Sequence, residues 1–191
     1  MNQVLFIAEN VGAAPGDRLE ELIRTAVAGN RAALEDVLVA VERRVYLFAW
    51  RLIGNPTAAE DITQEVLLKL AGNLARYRPG THLWAWIYRI VVNQTHDYRR
   101  SARIEPEVAP VVRAYDPDRQ EQLQRVEEAL AILTSKEREA IILLDVEGYS
   151  SREAAELLGT LAITVRTRAA HARMKLRRHL SRYYPELEER R

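Results

Sequence analysis

The chain has 191 residues, of which 48% are hydrophobic and 29% charged, a balance typical of a folded globular protein and not of a disordered one. Its length allows one domain or two small ones. It contains no cysteine, which excludes disulfides and thiolate metal sites. The formal net charge of +1 by itself argues against a nucleic-acid partner.

The distribution of charge indicates otherwise. No acidic residue occurs between Glu156 and Glu186, and the basic residues in that interval are Arg166, Arg168, Arg173, Lys175, Arg177, Arg178 and Arg182. Acidic residues concentrate in segments 20–21, 60–65 and 105–128. Such asymmetry favours local phosphate contacts beside an acidic surface that serves another partner.

The first ten residues hold a short apolar run, Val4 to Ala8, with no basic residue before it. The run is too short to span a membrane and lacks the basic flank of a signal peptide, so we expect a cytoplasmic protein. The histidines have no zinc-like spacing: His82, His96, His171 and His179. We therefore expect no metal site.

Helical periodicity organises the first half of the chain. Apolar residues recur at spacings of three and four from Leu34 to Leu52 and predict a helix that ends at Gly54-Asn55-Pro56. Thr57, followed by Glu60, predicts a capping box for a second helix. That helix is broken at Arg78-Pro79-Gly80. The pattern predicts an α-helical bundle.

A third helix, which Thr81 is predicted to cap, carries Trp84, Trp86 and Tyr88 and ends near Arg103. Trp86 is expected to be buried, because it lies at core spacing with Leu83, Ile87 and Ile90. Trp84 and Tyr88 lie off that stripe and are better candidates for exposure. From Ile104 to about Arg119 the periodicity disappears among Pro106, Pro110 and Pro117, which predicts an extended linker.

Helices with clear end signals resume after the linker. One is predicted over 120–133, and a capping box of Thr134 and Glu137 opens a second that stops at Gly148. A capping box of Ser150 and Glu153 opens a short helix, which Gly159 would end in a left-handed conformation. After a turn of three or four residues, a long basic helix runs to Tyr184. A short helix, a tight turn and a basic helix form the pattern of a helix-turn-helix, with the basic helix as recognition helix.

The second half resembles a known family in the segments LTSKEREAIILLDVEGYSSREAAELLG and TVRTRAAHARMKLRRHL. They are similar to the promoter −35 binding domain of extracytoplasmic-function (ECF, group IV) sigma factors of the sigma-70 family. The segment AGNRAALEDVL, with NPTAAEDITQEVLLKLAGNLARYRPGTHLWAWIYRIVVNQTHDYRR, resembles their other domain, which melts the −10 element and binds core polymerase. Order and spacing agree from about Leu19 to Leu180.

The resemblance implies an all-α fold of two small helical domains joined by a flexible linker. Residues 1–17 would be an N-terminal extension, 18–103 sigma region 2, 104–119 the linker, 120–185 sigma region 4, and 186–191 a C-terminal tail. The expected partners are promoter DNA, core RNA polymerase (the coiled coil of its largest subunit and its flap) and an anti-sigma factor, often membrane-anchored. The resemblance implies no cofactor and no small-molecule substrate. The linker would run through the polymerase interior; a merely soluble tether is the alternative.

Within AEDITQEV, the resemblance implies that Asp61, Gln64 and Glu65 dock on the polymerase coiled coil, and Leu68 falls near the same face. An acidic helix start in solvent, favoured by the helix dipole, is the alternative. For the −10 element, a loop over 77–82 would hold a flipped base and the third helix would contact single-stranded DNA. The expected contacts are Tyr77, Arg78, His82, Trp84, Tyr88, Arg89, Asn93, Arg99 and Arg100.

For the −35 element, the resemblance places four residues of the recognition helix in the major groove: Arg166, Thr167, Ala170 and His171. Phosphate contacts are expected from Arg168, Arg173, Lys175 and Arg177, with an internal structural role as the alternative for Arg168. Arg152 and Thr164 complete the predicted site, and Val165 and Met174 are expected to face the core. One segment departs from the family's Ile-Ser-x-Gly turn and reads Thr160-Leu161-Ala162-Ile163, so either Thr160 caps the helix or the helix starts at Thr164.

Two other classes of protein remain open. A helix-turn-helix regulator that binds operators alone would explain the second half of the chain, but not the aromatic and acidic helices of the first. An enzyme is disfavoured, because the sequence has no Gly-rich phosphate loop, no nucleophile elbow and no His-Glu-x-x-His metal pair.

Overall fold

The computed structural model describes residues 16–77, 82–102, 125–126 and 128–183, and within these ranges every regular element is helical. This confirms the predicted all-α class. The predicted linker and C-terminal tail lie outside the described residues. The helices are α1 (Gly16–Val27), α2 (Arg31–Ile53), α3 (Pro56–Asn73), α4 (Leu83–Ala102), α5 (Ser135–Ile141), α6 (Ser151–Leu158) and α7 (Ala162–Leu180).

Contacts divide the chain into two compact units, Met1–Ala49 with Thr57–Ala102 and Trp50–Pro56 with Arg103–Arg191. In the first unit the core is built from one apolar stripe of each long helix: Val41, Val45, Phe48, Ile62, Val66, Ile87 and Val91, each at most 1% exposed. In the second unit α5, α6 and α7 pack around Ala140, Leu143, Ala154, Val165 and Ala169. Over the ranges described, no helix is both long and apolar enough to cross a bilayer.

The helix starts in the first unit differ from the prediction. The Oδ1 of Asn30 accepts a hydrogen bond of 3.1 Å from the backbone N–H of Ala33 and thereby caps α2, a signal that the sequence reading missed. Helix α3 begins at Pro56, so the predicted capping role of Thr57 is wrong. Proline is favoured at a first helical position because its missing N–H would have no partner there. The predicted cap at Thr81 lies outside the described residues.

In the second unit both predicted capping boxes are confirmed. The side chain of Thr134 accepts from the N–H of Glu137 at 3.3 Å, and the Glu137 carboxylate accepts from the N–H of Thr134 at 2.9 Å. Ser150 and Glu153 exchange the same pair of bonds at 3.3 and 2.8 Å. Gly159 ends α6 with φ 61°, the predicted left-handed conformation.

Two elements of this unit depart from the prediction. The helix that starts at Ser135 does not stay α-helical to its end, because residues Ile142–Val146 form a π-helical turn. Helix α7 ends at Leu180 and not at Tyr184, since the N–H of Tyr183 bonds to the carbonyl of Leu180 at 2.9 Å and tightens the chain into a turn.

The atypical segment before α7 adopts neither of the two predicted arrangements. The helix starts at Ala162, directly after a turn at 159–161, and its N-cap residue is Leu161, which makes no side-chain capping bond. Thr160 therefore does not cap the helix, and the helix does not begin at Thr164. The absence of a polar cap leaves two apolar side chains, Leu161 and Ile163, at the start of the recognition helix.

Candidate protein and nucleic-acid interfaces

The outer face of α3 brings together all four residues predicted to dock on a protein partner. Asp61, Gln64, Glu65 and Leu68 are exposed and recur at spacings of three and four, so they lie on one face of the helix. The opposite face is buried through Ile62, Val66 and Leu70. Leu68 is 68% exposed, which places an apolar side chain beside two carboxylates. This combination suits a partner surface that carries Arg side chains on an apolar base.

Tyr88, which was expected to be exposed, is buried in the core of the first unit, so that prediction is wrong. Its ring stacks on Phe48 with centroids 4.0 Å apart, and its hydroxyl accepts a hydrogen bond of 2.7 Å from the Nε of Arg44. Tyr88 is 0% exposed and cannot stack on a DNA base without a rearrangement of the core.

Trp84 is half-buried beneath the guanidinium of Arg44, whose Cζ lies 4.1 Å from the ring centroid. This is the distance of a cation–π contact. The Trp84 and Tyr88 rings lie 5.6 Å apart, so both aromatics face α2. Arg44 thus holds the aromatic side of α4 in place. No local sequence signal could predict this role of Arg44, because its two partners follow 40 and 44 residues later.

The other predicted aromatic contacts are also partly packed. Tyr77 is 5% exposed, and its ring lies 5.6 Å from that of Trp86 in a tilted arrangement. Trp86 is half-buried, in keeping with its core spacing. The next residues of the predicted loop pocket, from Arg78 to Thr81, lie outside the described residues. His82, the last residue of the pocket, is exposed.

An exposed polar edge remains on α4. Arg89, Asn93 and Arg100 are exposed at spacings of four and seven, and Arg100 bonds to the carboxylate of Asp97. Arg99 is half-buried. Of the predicted −10 contacts in the described ranges, the residues of this edge and His82 are therefore the exposed ones.

The predicted groove-reading residues of α7 share one exposed face. Arg166, Thr167, Ala170 and His171 are all exposed, whereas Val165, Ala169 and Ala172 are completely buried. Met174 was expected to face the core but is 64% exposed, because the core side of this helix is formed by small residues at 169 and 172. The Nη1 of Arg166 donates to the Oγ of Ser151 at 3.4 Å.

The remaining predicted −35 residues lie around this face. Arg152 is exposed on α6, next to Ser151, while Thr164 and Arg168 are half-buried on α7. The hydroxyl of Thr167 donates to the carbonyl of Ile163 at 3.0 Å, which fixes its side chain against the helix. The helix-turn-helix therefore presents a compact surface centred on Arg166.

Two of the predicted phosphate contacts are engaged in internal ion pairs. Arg173 forms a bidentate pair with Asp145, with Nε and Nη2 at 2.8 and 2.5 Å from its carboxylate oxygens. The hydrogen bonds that the Arg173 guanidinium donates to Asp145 raise its pKa, against a smaller opposing effect of burial. Because Asp145 belongs to the π-helical turn, this pair ties that turn to the recognition helix.

Lys175 donates to the carboxylate of Glu137 at 2.8 Å. Burial alone would raise the pKa of that carboxyl, but the hydrogen bonds from Lys175 and Thr134 outweigh it and lower the pKa below its usual 4.5. Glu137 therefore serves twice, as the capping residue of α5 and as the ion-pair partner of α7.

This pair makes the stability of the second unit depend on pH. A carboxyl with a lowered pKa stabilises the folded state above pH 4.5, and the stabilisation is lost as the pH falls through the folded-state pKa. Glu137→Gln, which keeps the capping geometry, should reduce the free energy of unfolding by about 1 kcal/mol at pH 7. The difference from the wild type should shrink in denaturation curves recorded below pH 4.5. Glu153→Gln, at the same position of the exposed capping box, is the control; a difference for Glu137→Gln that does not change with pH would contradict the assignment.

Comparison with known proteins places both units in one family. Residues 37–104 match the family model "Sigma-70 region 2", and residues 123–176 match "Sigma-70, region 4". The chain is 32% identical to the ECF RNA polymerase sigma factor SigM of Mycobacterium tuberculosis over 164 residues, which cover 84% of this chain and 83% of SigM. It is 37% identical to the ECF sigma factor SigE of Mycolicibacterium smegmatis over 75% of this chain, a match that spans only 60% of SigE.

Solved structures agree with this result. The sigma factor RpoE of Bartonella quintana, in complex with the anti-sigma factor NepR, superimposes with a TM-score of 0.64 at 29% identity, covering 77% of this chain and 96% of that one. CnrH, in complex with the cytosolic domain of CnrY, gives the same TM-score at 26% identity, covering 85% and 96%. The resemblance seen in the sequence is thereby confirmed, and the chain belongs to the extracytoplasmic-function family of RNA polymerase sigma factors.

Proposed function

We propose that this protein is the promoter-specificity subunit of a bacterial RNA polymerase, which binds the core enzyme and directs it to particular promoters. The observation that carries the proposal is that each of the two units presents a different kind of surface. One unit presents an acidic face on α3, and the other presents an exposed face on a recognition helix without a single acidic residue. The first surface suits a protein partner and the second suits DNA.

The α3 face is the proposed docking site for the coiled coil of the largest polymerase subunit. Its support is the joint exposure of Asp61, Gln64, Glu65 and Leu68 on one face. Gel filtration of the chain with purified core polymerase tests it. Stoichiometric co-elution is expected, whereas separate elution of the two would contradict docking.

For the −10 element we propose contacts from the exposed edge of α4, namely His82, Arg89, Asn93 and Arg100, with Trp84 beside them. A guanidinium plane and an indole ring can both stack on unpaired bases. The burial of Tyr77 and Tyr88 argues that they support this surface from within and do not touch DNA.

For the −35 element we propose that Arg166 reads a base edge in the major groove. It lies at the centre of the exposed face of α7, and its side chain is held beside α6, the first helix of the motif, by Ser151. Arginine donates two hydrogen bonds to a guanine edge, a geometry that no other base pair reproduces. Arg173 and Lys175 are paired with carboxylates. To contact phosphate, each would have to leave its carboxylate or to bond to both groups at once.

Arg166→Ala should therefore lower discrimination at a single −35 base pair by about 1–3 kcal/mol and leave the other positions unchanged. Competition binding of the polymerase complex to promoters substituted one base pair at a time measures this. An even loss across all sequences would mean that Arg166 contacts only phosphate. Arg152→Ala, an exposed arginine on the neighbouring helix, is the matched control and should lower affinity without changing base preference.

The chain is proposed to select the promoter and to separate its strands, while the polymerase catalyses RNA synthesis. It would therefore act in the cytoplasm, without a cofactor or catalytic residues of its own. Region 2 would extend over 18–103 and region 4 over 120–185. An anti-sigma factor is the proposed regulator, supported by a structural neighbour that was solved with such a partner. The protein encoded beside this chain's gene should block co-elution with core polymerase if it is that factor.

A further inference from the structure

The recognition helix carries exposed apolar side chains at the positions where a polar cap is missing. Of the seven large hydrophobic side chains that are exposed in the described ranges, three belong to this helix or its cap: Leu161, Ile163 and Met174, at 69%, 57% and 64%. A single exposed apolar residue needs no explanation. Three on a helix that also presents arginines indicate a surface whose ligand offers both anionic and apolar groups.

Ile163 belongs to the same face as the groove-reading residues. Arg166, Thr167 and Ala170 follow it by three, four and seven residues, the spacings that bring side chains onto one side of a helix. The Thr167 hydroxyl donates its hydrogen to the Ile163 carbonyl at 3.0 Å, so the two residues are linked at the start of the helix. In a helix-turn-helix it is the N-terminal part of the recognition helix that contacts base edges.

The charges around Ile163 restrict what can cover it. Helix α7, which carries Ile163, has no acidic residue and presents the exposed Arg166. The exposed Glu153 and Glu156 of the helix-turn-helix lie on α6, beside Arg152. A polyanion is therefore favoured over an apolar protein surface. The major-groove edge of DNA offers one apolar group, the 5-methyl of thymine, which packs against apolar side chains.

We propose that Ile163 is a specificity-determining residue that contacts the 5-methyl group of a thymine in the −35 element. The inference rests on the proposed function and deepens it at one position. Leu161, at the N-cap, extends the apolar surface toward the same end of the helix. The recognition helix would thus contact the bases in two ways: Arg166 by hydrogen bonds, and Ile163, one turn earlier, by an apolar contact.

The test removes single thymine methyl groups from the DNA. The holoenzyme, formed from core polymerase and the full chain, is first used to select −35 sequences from a promoter library randomised at that element. Each thymine of the selected duplex is then replaced by uracil, which removes only the methyl. One replacement should weaken binding of the wild-type holoenzyme by about three- to fivefold.

The same replacement should have no further effect on holoenzyme with Ile163→Ala, and an intermediate effect with Ile163→Val. Ile132→Ala, an exposed isoleucine outside α7, is the matched control and should keep the full uracil effect. Equal uracil effects in wild type and Ile163→Ala, or none at any thymine, would overturn the role of Ile163 and leave the sigma-factor function intact. Failure of the holoenzyme to select any −35 sequence would instead overturn the proposed function itself.

Discussion

Replacement of Asp61 by arginine is expected to weaken binding of the chain to core polymerase by at least about 100-fold, because a like-charge contact would replace an attractive one on the docking face. Asp61 is exposed on α3 beside Gln64 and Glu65, and the buried side of that helix is formed by other residues. The substitution should therefore leave the fold unchanged. Fluorescence anisotropy of labelled chain titrated with core polymerase measures the affinity.

Glu42→Arg is the matched control for this experiment. It makes the same change of charge at an exposed position of α2, outside the α3 face. It should bind core polymerase within a few-fold of the wild type. Equal affinities for the Asp61→Arg variant and the wild type, with both chains folded by circular dichroism, would exclude α3 as the docking element.

Tyr88→Ala is expected to destabilise the first unit by about 3–5 kcal/mol, the range for truncation of a large buried aromatic side chain. The substitution removes the ring that stacks on Phe48 and leaves Arg44 without its hydroxyl partner. Tyr88→Phe keeps the ring and should cost only about 1 kcal/mol for the lost hydrogen bond. Urea denaturation measures the free energy of unfolding. It is followed by tryptophan fluorescence in a Trp50→Phe background, so that the signal comes from Trp84 and Trp86 of this unit.

Asn93→Ala controls for changes elsewhere on α4. Asn93 is exposed one turn beyond Arg89, and its replacement should alter stability by no more than about 0.5 kcal/mol. A comparably small effect of Tyr88→Ala would mean that Tyr88 is accessible after all and would restore it as a candidate DNA contact.

The local signals in the sequence predicted helix boundaries well where polar caps define them. Thr134 with Glu137, Ser150 with Glu153, and Gly159 each act through bonds to residues no more than four positions away, so the pattern alone is sufficient. The start of α3 was misplaced because Thr57 has the sequence signature of a capping residue, whereas Pro56 before it is already the first residue of the helix.

The burial of Tyr88 could not be read from one periodic stripe. Helix α4 buries a wide face, and the ridge that contains Trp84 and Tyr88 packs against Arg44 and Phe48 of α2. A helix with two packed ridges looks, in sequence, like a helix with one ridge and an exposed aromatic edge. The distinction depends on a neighbour about 40 residues away along the chain.

The basic residues of α7 show the same limit. All look alike in sequence as part of a basic helix, but Arg173 and Lys175 are paired with carboxylates 28 and 38 residues earlier. Asp145 reaches Arg173 from a π-helical turn that no periodicity predicted. The pattern thus identified the helix and its exposed centre, whereas long-range ion pairs decide which cations remain available to DNA.

Run-off transcription tests the central claim most directly. The template should carry the region upstream of this chain's own gene, and the reaction should be compared for core polymerase alone, the chain alone, and both together. A discrete transcript that appears only with both components is the result expected of a sigma factor. No transcript from the mixture, together with sequence-specific binding of duplex DNA by the chain alone, would contradict the account and indicate a regulator that acts without polymerase.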